Sequence, residues 1–78
     1  MKKLIKIFDG WYNVDNIVDV IPKYNSDKIE IGCTIWYNCA MQLSVFHTDI
    51  LFGKADGVPT HTTAEIVDHL NKGEDLDG

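Results

Sequence analysis

The side chains in this 78-residue chain best suited to chemistry are three histidines, His47, His61 and His69, and two cysteines, Cys33 and Cys39. Asp49, Glu65 and Asp68 are the carboxylates nearest the histidines in sequence. Glu65 and His69 stand four residues apart, which on a helix puts both on one face, as two ligands of a metal require. The spacing arises often by chance, and neither an HExxH nor a Cys-x-x-Cys frame accompanies it. The pair is therefore read as a surface helix pair, with no metal site expected. His61 is expected to act as a hydrophobic staple, its ring packing on Ile66 across the start of a helix.

A nucleophilic cysteine needs an adjacent base and an orienting group. Cys33 lies on an apolar parity and reads as a small core residue, while Cys39 falls at a turn with no motif around it. The segment Gly53-Lys54-Ala55-Asp56-Gly57 has the glycines and lysine of a phosphate loop but not its strand–GxxxxGK[ST]–helix frame. No catalytic residue, metal or cofactor is expected from these patterns.

Charge narrows the class further. Twelve acids oppose seven bases, and every base is lysine, for a net charge of −5. Sequence-specific DNA readers depend on arginine forks for guanine and on positive charge for phosphate, so direct sequence-specific nucleic-acid binding is not expected. The acids gather towards the end of the chain, where Glu65, Asp68, Glu74, Asp75 and Asp77 face only Lys72. No run approaches the roughly 20 apolar residues of a membrane span, and Met1 to Phe8 does not resemble a signal peptide. A cytoplasmic location with reduced thiols follows as the expectation.

The elements that must position these groups are read from hydrophobic period. Lys3 to Phe8 alternates as a first strand, Asp9-Gly10 signals a turn, and Trp11-Tyr12 resumes extended structure. Ile17 to Ile21 is a second strand, and Pro22 either puts it at an edge or ends it. Lys28 to Phe46 is the longest apolar stretch. In it Ile29, Ile31, Cys33, Ile35 and Tyr37 alternate with Lys28, Glu30, Thr34 and Trp36, and Gly32 is a candidate bulge. Beyond a tight turn at Asn38-Cys39, Met41, Leu43 and Val45 alternate with Gln42, Ser44 and Phe46, which predicts a hairpin. Thr48 to Phe52 extends that strand or starts a fifth, and Gly53 to Thr60 is a loop. Thr62 is an N-cap with Glu65 three residues on, Ala64, Ile66, Val67 and Leu70 form an apolar stripe, and Gly73 is the C′ stop.

The expected fold is α+β: a small antiparallel sheet of four to five strands followed by one C-terminal helix packed on it (β-β-β-β-α). Residues 1–73 form a single domain and residues 74–78 an acidic flexible tail.

Gly10, Asn13, Ile17, Val20 and Asp27-Lys28-Ile29, with the helical Glu65-Ile66-Val67, resemble the pattern of the small FlbD-like proteins of bacterial flagellar operons. The resemblance covers about half the chain and implies a small sheet-plus-helix fold with no known reaction. The chain departs from the pattern in having no Asn-Gly hairpin after Ile31 and a long insertion before the helix.

The aromatics carry the functional expectation. Trp11, Tyr12, Tyr24, Trp36, Tyr37 and Phe46 are more than the inner face of so small a sheet holds, and Trp36 and Phe46 are assigned to the parity opposite the isoleucines. Tryptophan and tyrosine are favoured at interfaces, so Trp11, Tyr12, Trp36 and Phe46 are the candidate binding residues. They would serve a protein partner or a homodimer through a sheet face or edge. Asp9, Asp15, Asp19, Asp49 and Asp56 would add a negative surface for a nucleic-acid-binding host protein, as in phage or mobile-element accessory proteins that inhibit host defence. The alternative is an oligomer that sequesters a nucleotide or another small molecule in a pocket lined by Trp11 and Trp36.

Overall fold

A computed structural model describes residues 3–38 and 44–77. In order they form β1 (Leu4–Ile7), β2 (Gly10–Asn13), a 3-10 turn (Val14–Asn16), β3 (Ile17–Tyr24), β4 (Glu30–Asn38), β5 (Val45–Leu51), β6 (Lys54–Ala55), β7 (Val58–Pro59) and α1 (Thr63–Lys72). The class is α+β with antiparallel pairing and one helix after the strands, as expected. The single four- to five-stranded sheet is not what forms. The strands divide into a β1-β2 hairpin, a three-stranded sheet in the order β3-β4-β5, and a β6-β7 hairpin.

The turns between the strands follow this division. The first turn is Phe8-Asp9 rather than Asp9-Gly10, because Ile7 pairs with Gly10. Phe8 takes a left-handed φ of 54°, unusual for a bulky residue. Its N–H donates to the Leu76 carbonyl at 2.8 Å, and its ring lies 5.0 Å from that of His61. Between β3 and β4, Asn25 organises the reversal by accepting from the N–H groups of Asp27 and Ile29 through its side chain. Asp56 and Gly57 both have positive φ, the requirement of a type I′ turn, so the segment read as a loop is a short hairpin.

The core lies on one face of the three-stranded sheet. Cys33, Ile35 and Ile50 from the sheet meet Ile5 and Ile7 from β1, Phe52, and Ile66 and Leu70 from α1. The β1-β2 hairpin and the helix thus share the task of covering this face. The register sets which residues belong to it, since residues directly opposed across antiparallel strands point the same way. Val20, Ile35 and Thr48 form one such row, and Pro22, Cys33 and Ile50 the next.

Pro22 sits on β3, an edge strand, as its missing donor requires. Pairing slips between Lys23 and Tyr24, where β4 advances from Gly32 to Glu30, so the bulge lies beside Gly32. Gly32 itself is buried, and a Cβ there would stand 2.2 Å from the Ile50 carbonyl oxygen. Only glycine lets β4 and β5 approach this closely.

The helix begins and ends as expected. The Thr62 hydroxyl accepts from the Glu65 N–H, and Gly73 closes the helix at φ 71°. Thr63 docks the first turn on β4 through Glu30 and the Gly32 carbonyl, each at 3.4 Å.

The acidic end is also tied into the fold. Leu76 donates to the Lys6 carbonyl at 2.8 Å and bridges to Ile7 in parallel, and Asp75 accepts from the Lys6 N–H. Asp75 and Leu76, within the expected 74–78 tail, bond to the backbone of β1, while Glu74 donates to the His69 carbonyl at the helix end. Among the described residues, no helix is long and apolar enough to cross a membrane.

Candidate functional site

The face of the three-stranded sheet opposite the core carries the most distinctive arrangement of side chains. Asp19, Trp36 and His47 form one cross-strand row, Ile21, Thr34 and Asp49 the next, and Lys23, Gly32 and Leu51 the third. The centre is polar: Thr34 Oγ1 donates to Asp49 Oδ1 at 2.7 Å, and Lys23 Nζ lies 3.1 Å from Asp49 Oδ2. The Thr34 hydroxyl and then Lys23 hold the Asp49 carboxyl below its ordinary pKa, because both favour the ionised form.

Apolar groups surround this centre. Ile21 is 44% exposed and Leu51 62%. Trp36 is half-buried, with its ring centroid 4.7 Å from that of His47.

Phe46 does not share that face. It pairs with Tyr37 and stacks on it at 5.9 Å, which places both rings on the core side. The expected placement of Phe46 beside Trp36 follows from taking the parity of Val45 as the inward one. Asn38 pairs with Val45 across six intervening residues, where a tight turn at Asn38-Cys39 was expected, and this register puts Val45 on the Trp36 face and Phe46 on the other. Cys39, Met41, Gln42 and Leu43 lie outside the described residues.

A second concavity of about 410 Å³ lies where β2 crosses the end of the sheet. Leu4, Trp11, Tyr12, Tyr37, Asn13 and Asn16 are among its walls. Trp11 is 56% exposed. The Tyr12 ring folds back over Gly10, whose Cβ position lies 2.8 Å from the Tyr12 hydroxyl. Burial is the main cause that raises the Tyr12 pKa, with Cys33 and Tyr37 adding to it and a hydrogen bond with Thr48 opposing. Trp36 is not among the walls of this groove, so the two tryptophans do not form one stacking pocket.

The acids nominated for a negative surface are dispersed. Asp19 and Asp49 share the outer sheet face. Asp9 lies in the first turn and lines, with Asp49, a smaller groove of about 250 Å³. Asp15 follows β2 and is 3.0 Å from Lys3 Nζ, and Asp56 occupies the tip of the β6-β7 turn.

The histidines occupy separate surroundings. His47 rests on Trp36, His61 lies between Phe8 and the Glu65 carboxylate, and the His69 ring is 3.1 Å from the Glu74 carbonyl. Glu65 pairs with His61 rather than with the expected His69, and the His61 ring also lies against Phe8. Among the described residues, no group of three or more His, Cys, Asp or Glu side chains is placed to hold a metal ion. Cys33 is free and fully buried, and burial, followed by Glu30 and Asp49, pushes its thiol up to about 11. Such a thiol stays protonated and unreactive near neutral pH.

Sequence reading missed Ile21 and Leu51 as members of the outer face. Their parity with Asp19 and Lys23, and with His47 and Asp49, is a signal present in the chain. No protein-family model, curated protein or solved structure matches the chain, so the likeness to FlbD-like proteins rests on the segment Gly10 to Ile31 and on Glu65 to Val67 alone.

Proposed function

We propose that the chain is a binding module rather than an enzyme, and that it engages a protein partner through the outer face of β3-β4-β5. The observation that carries this reading is the exposure of Ile21 and Leu51 on the same sheet face as Trp36, around the Thr34–Asp49–Lys23 centre, a face that neither the helix nor the first hairpin covers. Productive interfaces combine an aromatic anchor with flanking apolar contacts and a polar group that fixes register. The acidic balance favours a basic partner, and an inhibitor of a nucleic-acid-binding host factor is the finer form of the reading. Ile21→Lys with Leu51→Lys tests it: the variant should keep its thermal unfolding and lose partner capture. Capture unaffected by both substitutions refutes the outer face.

The groove beside Trp11 supports a second reading, sequestration of a nucleotide or similar planar ligand. Its size is within the range of ligand sites, and Trp11, Tyr12 and Tyr37 supply stacking surfaces beside the amides of Asn13 and Asn16. Titrating nucleotides against tryptophan fluorescence tests it. Quenching lost in Trp11→Phe and kept in Trp36→Phe supports the groove, and no quenching by any nucleotide removes it.

A further inference from the structure

We propose that the free edge of β5 pairs with β5 of a second copy, antiparallel and centred on Thr48, joining two three-stranded sheets into one of six strands. This proposal is independent of the outer-face reading, since partner binding there needs only one copy.

The edge is unpaired, and the Phe8-Asp9 turn borders it only across a groove at Asp49 and Leu51. β5 ends the order β3-β4-β5, and among the described residues no strand pairs with its outer side. The opposite edge, β3, is protected by Pro22 and by a pairing irregularity at Val18. Such devices normally prevent edge-to-edge association. β5 has neither a proline nor a bulge, and it exposes Val45 and Leu51.

The direction of its backbone groups follows from register. Phe52 donates to the Ile31 carbonyl at 2.8 Å, which makes Ile31 and Phe52 a hydrogen-bonded pair. Bonded and non-bonded pairs alternate in an antiparallel ladder, so Val45, His47, Asp49 and Leu51 turn their N–H and C=O groups away from β4.

The occupant is indicated by the sequence of the strand, Val45-Phe46-His47-Thr48-Asp49-Ile50-Leu51. It is complementary to its own reverse. Centred on Thr48, the pairing sets Val45 against Leu51, Phe46 against Ile50, and His47 against Asp49 of the other copy, each twice. Hydrogen-bonding and apolar pairs directly across a ladder are stabilising. The outward-facing residues pair with outward-facing residues in this register, so the new ladder closes with up to about eight backbone hydrogen bonds. Each Asp49 then gains an imidazole donor beside Thr34 and Lys23.

A pairing of one strand per subunit buries less than a standard interface, so a Kd on the order of 10 to 100 µM is expected. Sedimentation equilibrium of the full chain in reducing buffer, from about 10 µM to 1 mM, should show reversible dimerisation in that range. His47→Pro removes an N–H that turns away from β4 and pairs with no strand among the described residues, so it should keep the fold and abolish the dimer. Should His47→Pro not fold, Thr48→Cys in a Cys39→Ser background serves instead. The two copies of position 48 form a non-hydrogen-bonded pair about 4.5 Å apart at Cα, which a disulfide spans. Oxidation should link the two thiols introduced at position 48, whereas His47→Cys in the same background should not link to itself. A chain that stays monomeric to 1 mM overturns the proposal, as does a dimer that survives His47→Pro or fails to cross-link through position 48.

Discussion

Replacing Gly32 with alanine places a methyl group where the structure has least room. The new Cβ would lie 2.2 Å from the Ile50 carbonyl oxygen and 3.1 Å from Leu51 Cα. Carbon–oxygen contacts begin near about 3.3 Å, so the overlap is about 1.1 Å against backbone that has no rotamer to change. Relief requires β4 and β5 to part, which loosens the Phe52 N–H to Ile31 carbonyl bond and the Thr63 hydroxyl contact with the Gly32 carbonyl. Overpacking together with one or two weakened hydrogen bonds gives a loss of about 2–4 kcal/mol. A domain of this length holds roughly 4–12 kcal/mol in total. The midpoint of thermal unfolding, followed by far-UV circular dichroism, should therefore fall by about 10–25 °C. Gly53→Ala is the control, since its Cβ meets only the Thr60 hydroxyl at 3.3 Å, the end of a side chain. Its effect should stay within about 0.5 kcal/mol. A Gly32→Ala protein as stable as Gly53→Ala would falsify the close approach of β4 and β5.

Deleting residues 74–78 removes the Leu76 and Asp75 bonds to β1 and the packing of Leu76 on the core, and should cost about 2–4 kcal/mol in urea unfolding; an unchanged midpoint refutes the docked end. The Cys33 thiol is raised from 9.0 to about 11, so the folded state resists its ionisation. Its contribution is complete below pH 9 and is lost as pH rises towards 11, at most about 2–3 kcal/mol. Cys33→Ala should flatten that alkaline decline, and an identical decline in both proteins contradicts the assignment. The lowered pKa of Asp49 acts in the opposite direction: its contribution is present above the unfolded value of about 4 and disappears as pH falls through the folded value. Asp49→Asn should be less stable than the parent at pH 7 and should converge with it in acid, and a constant difference across this range would exclude the Thr34–Lys23 pairing as the cause.

Much of the fold was readable because it rests on local chemistry. Ile5 and Ile7 lie inward from an alternating strand, Cys33 and Ile35 from another, Pro22 marks an edge, and Thr62 and Gly73 bound the helix. Features that depend on distant contacts were not readable. Phe8 accepts a left-handed backbone because Leu76 and His61 hold it, and neither is near in sequence. The face of Phe46 is set by which parity of β5 turns inward, that of Phe46 and Ile50 rather than that of Val45, and alternation alone does not determine it. The Asp56-Gly57 hairpin was a local signal that the composition of the segment obscured. The candidate site followed the same pattern. Trp36 was identified by type, but that Ile21, His47 and Leu51 share its face became apparent only when register joined three strands.

Site-specific photo-crosslinking in the native host tests the outer face most directly. A photoreactive residue at Ile21 or Leu51 reports on that face, and one at Leu4 or Trp11 reports on the groove. The outer-face account predicts one discrete adduct, the same from positions 21 and 51, that is absent from positions 4 and 11. Adducts formed only from positions 4 and 11 would contradict it.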